Sequence, residues 1–304
     1  MIDIDELEDK FSIEGEVGFA ELENDLVFMT VSNKYADVDI CLYGAHVTSF
    51  RPHDSMEVLY LSPESNFEVG KAIRGGIPVC FPWFGPHKTD PEMPQHGFAR
   101  LTYWDVLKTA TLPSGETMVE LQLCSSEETK VYWPHDFCAQ LTVTVGSTMT
   151  VTLKVTNTSS APFDYTCALH SYFELSSIDN LLIYGLHETT YYNQLTSENG
   201  IQEEEVLLVQ EPTTRHYLDT QSAVIMEDFI FKKKIRIAKV GSRVTTVWNP
   251  WEEACAKMDD LPDDAYETFV CVETVNAFNN PIMLAPNESH ETSAQIGLVE
   301  CDSF

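Results

Sequence analysis

An all-β fold, a large antiparallel β-sandwich over residues 1–304 with a few short helices, is what the sequence predicts, on three observations. Apolar and polar residues alternate in many short runs, turn-forming residues separate those runs, and no long segment repeats its apolar residues at helical spacing. Alternation rich in Val, Thr and aromatics marks strands with one buried face. Many such strands with no long helix to cover them pack sheet on sheet.

The runs come in order. VDICLYG (38–44) and TMVELQLCS (117–125) each read as one strand. CAQLTVTVGSTMTVTLKVTNTS (138–159) reads as a hairpin turning at Gly146–Ser147. IRIAKVGSRVTTVWN (235–249) and TFVCVETV (268–275) close the series. Short helices are expected near Ser62–Phe67 and Trp251–Met258. DDLPDDA (259–265) is the nearest thing to a linker, but strand patterns resume on both sides of it, so a single domain is expected.

Charge narrows the function. The formal net charge is −30, which repels nucleic acid and anionic membrane surfaces, so neither is an expected partner. No apolar run approaches the roughly 18 residues that a membrane span needs. The N-terminus lacks the basic and apolar regions of a signal peptide. Eight scattered cysteines, several inside apolar runs, read as reduced core residues and point to the cytoplasm. A monomer is expected.

One segment departs from the acidic background. KAIRGGIPVCFPWFGPHKTDPEMPQHGFAR (71–100) carries Lys71, Arg74, Lys88 and Arg100 against Asp90 and Glu92, four basic against two acidic groups, a net of +2. Its five prolines and its glycines hold the chain in turns. A rigid loop bearing arginines and histidines suits a small-molecule site. Arg74 precedes a Gly-Gly pair, where a ligand or another strand can come close; its guanidinium suits a phosphate or a structural ion pair. Gln95, His96 and Arg100 either converge on one ligand or form a surface turn.

Two ionisable residues sit in runs that otherwise read as buried strand: His170 in FDYTCALHSYFEL and Glu273 in ETFVCVETVNAF. A buried carboxylate must find hydrogen bonds or shift its pKa upward. Each residue is therefore either a satisfied structural group or half of a proton-transfer pair. Asp219, in RHYLDTQ, reads equally as a ligand contact or a turn aspartate. Dinucleotide and P-loop fingerprints, HExxH and GxSxG are all absent. The histidines lack metal-ligand spacing, so no essential metal is expected.

KAIRGGIPVCFPWFG, QHGFAR, ALHSYFEL, VWNP and FVCVETVNA, with GAHVTSFRP (44–52) and WPHDF (133–137), occur in an order that resembles glucose-6-phosphate 1-epimerases of the aldose 1-epimerase (galactose mutarotase-like) superfamily. The resemblance spans Cys41 to Ile296. It implies a galactose mutarotase-like sandwich that interconverts the α and β anomers of a hexose 6-phosphate without a cofactor. It casts His170 as general acid and Glu273 as base. It makes Arg74, Gln95, His96, Arg100 and, by a less distinctive segment, Asp219 substrate-binding residues. Trp83 stands where many relatives carry glutamine, and either stacks on the sugar or fills core. The alternatives are a mutarotase for unphosphorylated aldoses, a non-catalytic sugar-binding protein on the same fold, and a glycosidase, which would need two carboxylates.

Overall fold

The computed structural model describes residues 2–22 and 24–299. Nine strands form one sheet, in the spatial order Val206–Leu207, Leu181–Tyr184, Val224–Asp228, Lys233–Val240, Ser289–Leu298, Thr148–Asn157, Phe137–Val145, Thr117–Cys124 and Asp105–Thr111. A second sheet runs Glu198–Ile201, Thr190–Asn193, Thr213–Tyr217, Val244–Asn249, Phe269–Asn276, Cys167–Leu169, Val79–Cys80, with Tyr172–Glu174 also paired to Phe269–Asn276. A four-stranded meander, Val17–Glu21 to His46–Pro52, stands beside them. The antiparallel sandwich is as expected.

Alternation builds the layers. Phe137–Val145 buries every second residue, and its hairpin partner Thr148–Asn157 does the same, turning at Gly146–Ser147. Val143, Val151, Leu153 and Ile296 of the nine-stranded sheet share one core with Leu169, Val247, Val270 and Val272 of the other. Each such side chain contributes about 1.5–3 kcal/mol on full burial. The strand Phe269–Asn276 is buried on both faces. Its alternate residues, Phe269 and Cys271, face a second apolar cluster with Tyr60, Tyr172 and Cys255, and Glu273 continues that face.

The helices differ from expectation. Trp251–Cys255 is helical, shorter than the expected Trp251–Met258. Ser62–Phe67 is a turn and not a helix. There the Ser62 hydroxyl accepts the Glu64 N–H at 3.2 Å and donates to the Asp260 carbonyl at 2.7 Å, competing with helical bonding. Ile4–Phe11 and Glu127–Tyr132 are helices that the strand patterning did not announce. Each has a side-chain cap, Asp3 for the first and Ser126 for the second.

The cysteines need one correction. Cys41, Cys80, Cys167, Cys255 and Cys271 are buried free thiols, as expected, but Cys124 and Cys138 are joined by a disulfide. They lie directly opposite each other on neighbouring antiparallel strands, so strand register brings together residues that no short motif connects. Cys301 lies outside the described residues.

Residues 71–100 form turns, isolated bridges and the short strand Val79–Cys80. The close approach expected at the Gly-Gly pair is made by the chain itself: a Cβ on Gly76 (φ +61°) would meet the Val47 carbonyl oxygen at 2.2 Å. Among the described residues no helix is long and apolar enough to cross a membrane.

Candidate active site

Strand register lays out the floor of the site. Thr246 pairs with Glu273, and His216 pairs with Thr246, so three neighbouring strands place three polar side chains in one row. Two residues along, Thr214, Trp248, Cys271 and Tyr172 form a second row. Residues two apart in a strand share a face, so both rows look the same way, away from the core. Residues 71–100 fold over this floor, and a cavity of about 270 Å³ lies between them, lined from the loop side by Arg74, Phe84, Gln95, His96 and Arg100.

His170 follows the strand Cys167–Leu169, where its N–H donates to the Pro78 carbonyl at 3.1 Å. That bond ties it to the turn-rich loop and aims its ring across the floor. Nε2 stands 3.5 Å from Oε1 of Glu273. The imidazole stacks on Tyr172 (4.9 Å between centroids, 13° between planes) and meets His96 edge-on at 5.5 Å. His170 Nδ1 and Glu273 Oε2 are buried without a hydrogen-bond partner.

Burial dominates the electrostatics. It pushes the Glu273 carboxyl well above its ordinary range. It pushes the His170 imidazole well below its own, with His96, Arg100 and Arg74 adding to the effect. Both shifts favour the uncharged forms, a neutral carboxyl beside a neutral imidazole. Burial first, then the two arginines, holds His96 down to about 3. His96 Nδ1 accepts the Gly85 N–H at 3.1 Å, so the neutral ring carries its proton on Nε2, beside the Gln95 amide. His96 sits at φ +64°, a left-handed backbone for a residue with a side chain.

The arginines differ. Arg74 places Nε and Nη2 at 3.1 and 3.0 Å from one Asp260 oxygen, and its Nη1 donates to the Tyr172 hydroxyl at 3.1 Å. Arg100 spends Nη2 on the Gln95 carbonyl at 2.8 Å, while its Nε is buried without a partner. Both line the cavity. Glu273 is the one carboxylate lining it among the described residues, which does not suit the two-carboxylate chemistry of a glycosidase.

Six of the seven residues singled out by sequence thus meet in one cavity. Asp219 does not. Its carboxylate pairs with Arg243 at 3.2 Å and accepts from the amides of Asn279 (2.9 Å) and Asn280 (3.3 Å). It anchors the turn that lays Phe278 on His216, with ring centroids 4.1 Å apart. Trp83 is buried, donates Nε1–H to the Pro94 carbonyl at 2.9 Å and packs on Phe98, so it props the loop and fills core.

Sequence reading missed Tyr172, Gln194, Thr214, His216, Thr246 and Trp248, all of which line the cavity. The available signal was polar or aromatic residues two apart, Thr214/His216 and Thr246/Trp248, where alternation calls for apolar ones.

A Salmonella typhimurium protein provisionally named a glucose-6-phosphate 1-epimerase is 35% identical over 254 residues, which cover 84% of each chain. An Escherichia coli K12 protein of the same name is 34% identical, again over 84% of each. The crystal structure of a provisional mutarotase from Salmonella typhimurium superposes with a TM-score of 0.89 at 30% identity, covering 96% of each chain. A galactose mutarotase related enzyme from Lactobacillus acidophilus shares the fold, with a TM-score of 0.74 at 15% identity over 90% of this chain and 97% of that one. The family model for aldose 1-epimerase matches residues 28–297, and the chain belongs to that family.

Proposed function

We propose that this protein interconverts the α and β anomers of D-glucose 6-phosphate, with Glu273 and His170 moving the protons. One observation carries the reading: a buried acid and a buried base 3.5 Å apart, each with an unpartnered polar atom, in a cavity that also holds two arginines. The relatives' names supply the sugar phosphate.

The chemistry needs the charged form of the pair, because Glu273 takes the proton of the C-1 hydroxyl while His170 gives one to the ring oxygen. The C-1 to ring-oxygen bond then breaks and leaves an open-chain aldehyde. Rotation about C-1–C-2 presents the other face, and the reverse transfers close the opposite anomer. Moving the one resting proton from Glu273 to His170 creates that carboxylate and imidazolium. Arg100 and Arg74 disfavour imidazolium at His170, and a phosphate bound against them offsets their charge. Substrate thereby prepares its own acid. Each positioned transfer is worth about 10²–10⁴-fold.

A pH–rate profile follows from this. The pair holds one proton between an acid limb well below 6.5, where His170 protonates, and an alkaline limb well above 4.5, where Glu273 ionises. A kcat/KM with no ionisation of this pair across mid-range pH is expected, since kcat/KM reports the free protein. A single sigmoid centred on either ordinary value would show that the two groups titrate independently.

One observation favours a second reading, a mutarotase for unphosphorylated aldoses: Asp260 already neutralises Arg74. Magnetisation-transfer NMR on glucose 6-phosphate, glucose and galactose in parallel separates the two. Acceleration confined to the phosphorylated sugar supports the proposal, and equal acceleration of free glucose supports the alternative. No acceleration of any sugar removes both.

A further inference from the structure

The wall of the cavity beside Glu273 holds a hydrogen-bonded chain that proton transfer does not use. His216 places Nδ1 at 2.8 Å from the Thr246 hydroxyl and Nε2 at 2.9 Å from Oε1 of Gln194. Phe278 packs at 4.1 Å, Phe84 stands edge-on at 6.1 Å and Tyr192 stacks at 6.2 Å, so aromatic rings enclose the imidazole. Burial lowers its pKa to about 4, which leaves it neutral at physiological pH.

With the Gln194 amide oxygen turned toward the ring, a neutral imidazole has one arrangement of protons. Gln194 Oε1 can only accept, so His216 Nε2 donates to it. Nδ1 is then bare and accepts the Thr246 O–H. The chain therefore runs in one direction, with Thr246 keeping free oxygen lone pairs and Gln194 keeping a free NH₂. Both residues line the cavity, which gives this wall one acceptor and one donor with no charge. Such a wall suits sugar hydroxyls and does not suit a phosphate.

Its position selects which hydroxyl. Thr246 is the direct cross-strand partner of Glu273, and side chains so placed have Cβ atoms about 4.5–5.5 Å apart. On the proposed function, on which this inference rests, Glu273 meets the C-1 hydroxyl. The hydroxyl on the next ring carbon is then the one within reach of Thr246. We propose that the Gln194–His216–Thr246 chain recognises the C-2 hydroxyl of the substrate: Thr246 accepts from it, and His216 positions Thr246 from behind. Asp219 enters as a support, because it anchors the turn carrying Phe278 onto the His216 ring.

The test pairs glucose 6-phosphate with its 2-deoxy analogue, measuring anomer exchange by NMR and affinity by isothermal titration calorimetry. Thr246→Val keeps the shape and removes the acceptor. It is expected to lower kcat/KM and affinity for glucose 6-phosphate by about 10-fold or more, the usual effect of unpairing one buried hydrogen bond. For the 2-deoxy sugar the same change is expected to be under about threefold, since the lost bond is not made. His216→Phe, which suits its aromatic enclosure, should show the same contrast, and Thr246→Ser should restore the wild-type ratio. Equal losses for both sugars would make the chain structural and overturn the inference. So would a wild-type protein that binds both sugars alike, and calorimetry reads this with no turnover. Lack of exchange with affinity still dependent on C-2 would instead sink the proposed reaction and leave the C-2 site standing.

Discussion

Glu273→Gln is expected to lower kcat for anomer exchange by about 10³-fold or more, within the range for loss of a positioned acid–base group, and to stabilise the fold at neutral pH. The second effect follows from the raised carboxyl pKa. The folded protein keeps this proton after the unfolded chain, with an ordinary value of 4.5, has lost it. Ionisation therefore favours unfolding as pH climbs from 4.5 toward the folded-state pKa, at about 1.4 kcal/mol per unit. Glutamine does not ionise, so the variant should gain stability over wild type at pH 7 and almost nothing near pH 4.5. Urea denaturation at the two pH values reads the difference. A variant less stable than wild type at pH 7 would mean that the folded site holds a carboxylate, contrary to the resting state described above. An inactive variant that is more stable marks a group kept for chemistry at the expense of the fold.

Arg100→Ala has the next largest effect, a fall in kcat/KM for glucose 6-phosphate of about 10²-fold, as expected for losing a charged hydrogen-bonding partner. For free glucose, under the same assay, the change should be less than about threefold. Its Nε is buried without a partner, and among the described residues no carboxylate pairs with its guanidinium. Arg74 differs because it is tied to Asp260 and Tyr172. Arg74→Ala should cost stability as well as activity, since it strands the half-buried Asp260. Equal losses for phosphorylated and free sugar in Arg100→Ala would remove Arg100 from any phosphate site.

How much of this was legible beforehand differs from residue to residue, for physical reasons. The sandwich was legible because a half-buried strand writes its burial into alternate residues, as Phe137–Val145 and Thr148–Asn157 do. His170 and Glu273 stood out because an ionisable group in an apolar run is costly. The wall beside them did not, because Thr246, His216 and Gln194 come from separate segments. Each alone is an ordinary polar strand or loop residue, and register makes them a site. Register also joins Cys124 to Cys138, where spacing along the chain suggested nothing. Asp219 was ambiguous for the opposite reason: an aspartate in a turn reads the same in sequence whatever it faces, and here its carboxylate meets Arg243 and two asparagines.

The loop that carries Arg74 and Arg100 also acts on the His170 imidazole. Burial first, and then the same positive charge that suits an anionic substrate, depress His170, so both favour the uncharged imidazole. Inorganic phosphate alone should therefore raise the His170 pKa, a shift that ¹H–¹⁵N NMR of the imidazole can follow.

In the proposed mechanism one proton, shared by Glu273 and His170, opens and recloses the sugar ring. This is tested most directly by magnetisation-transfer NMR of glucose 6-phosphate with wild type, His170→Ala and Glu273→Gln side by side. Exchange well above the spontaneous rate is expected in wild type, and exchange at the spontaneous rate in both variants. Wild-type exchange no faster than buffer, or a variant that retains the wild-type rate, would contradict it.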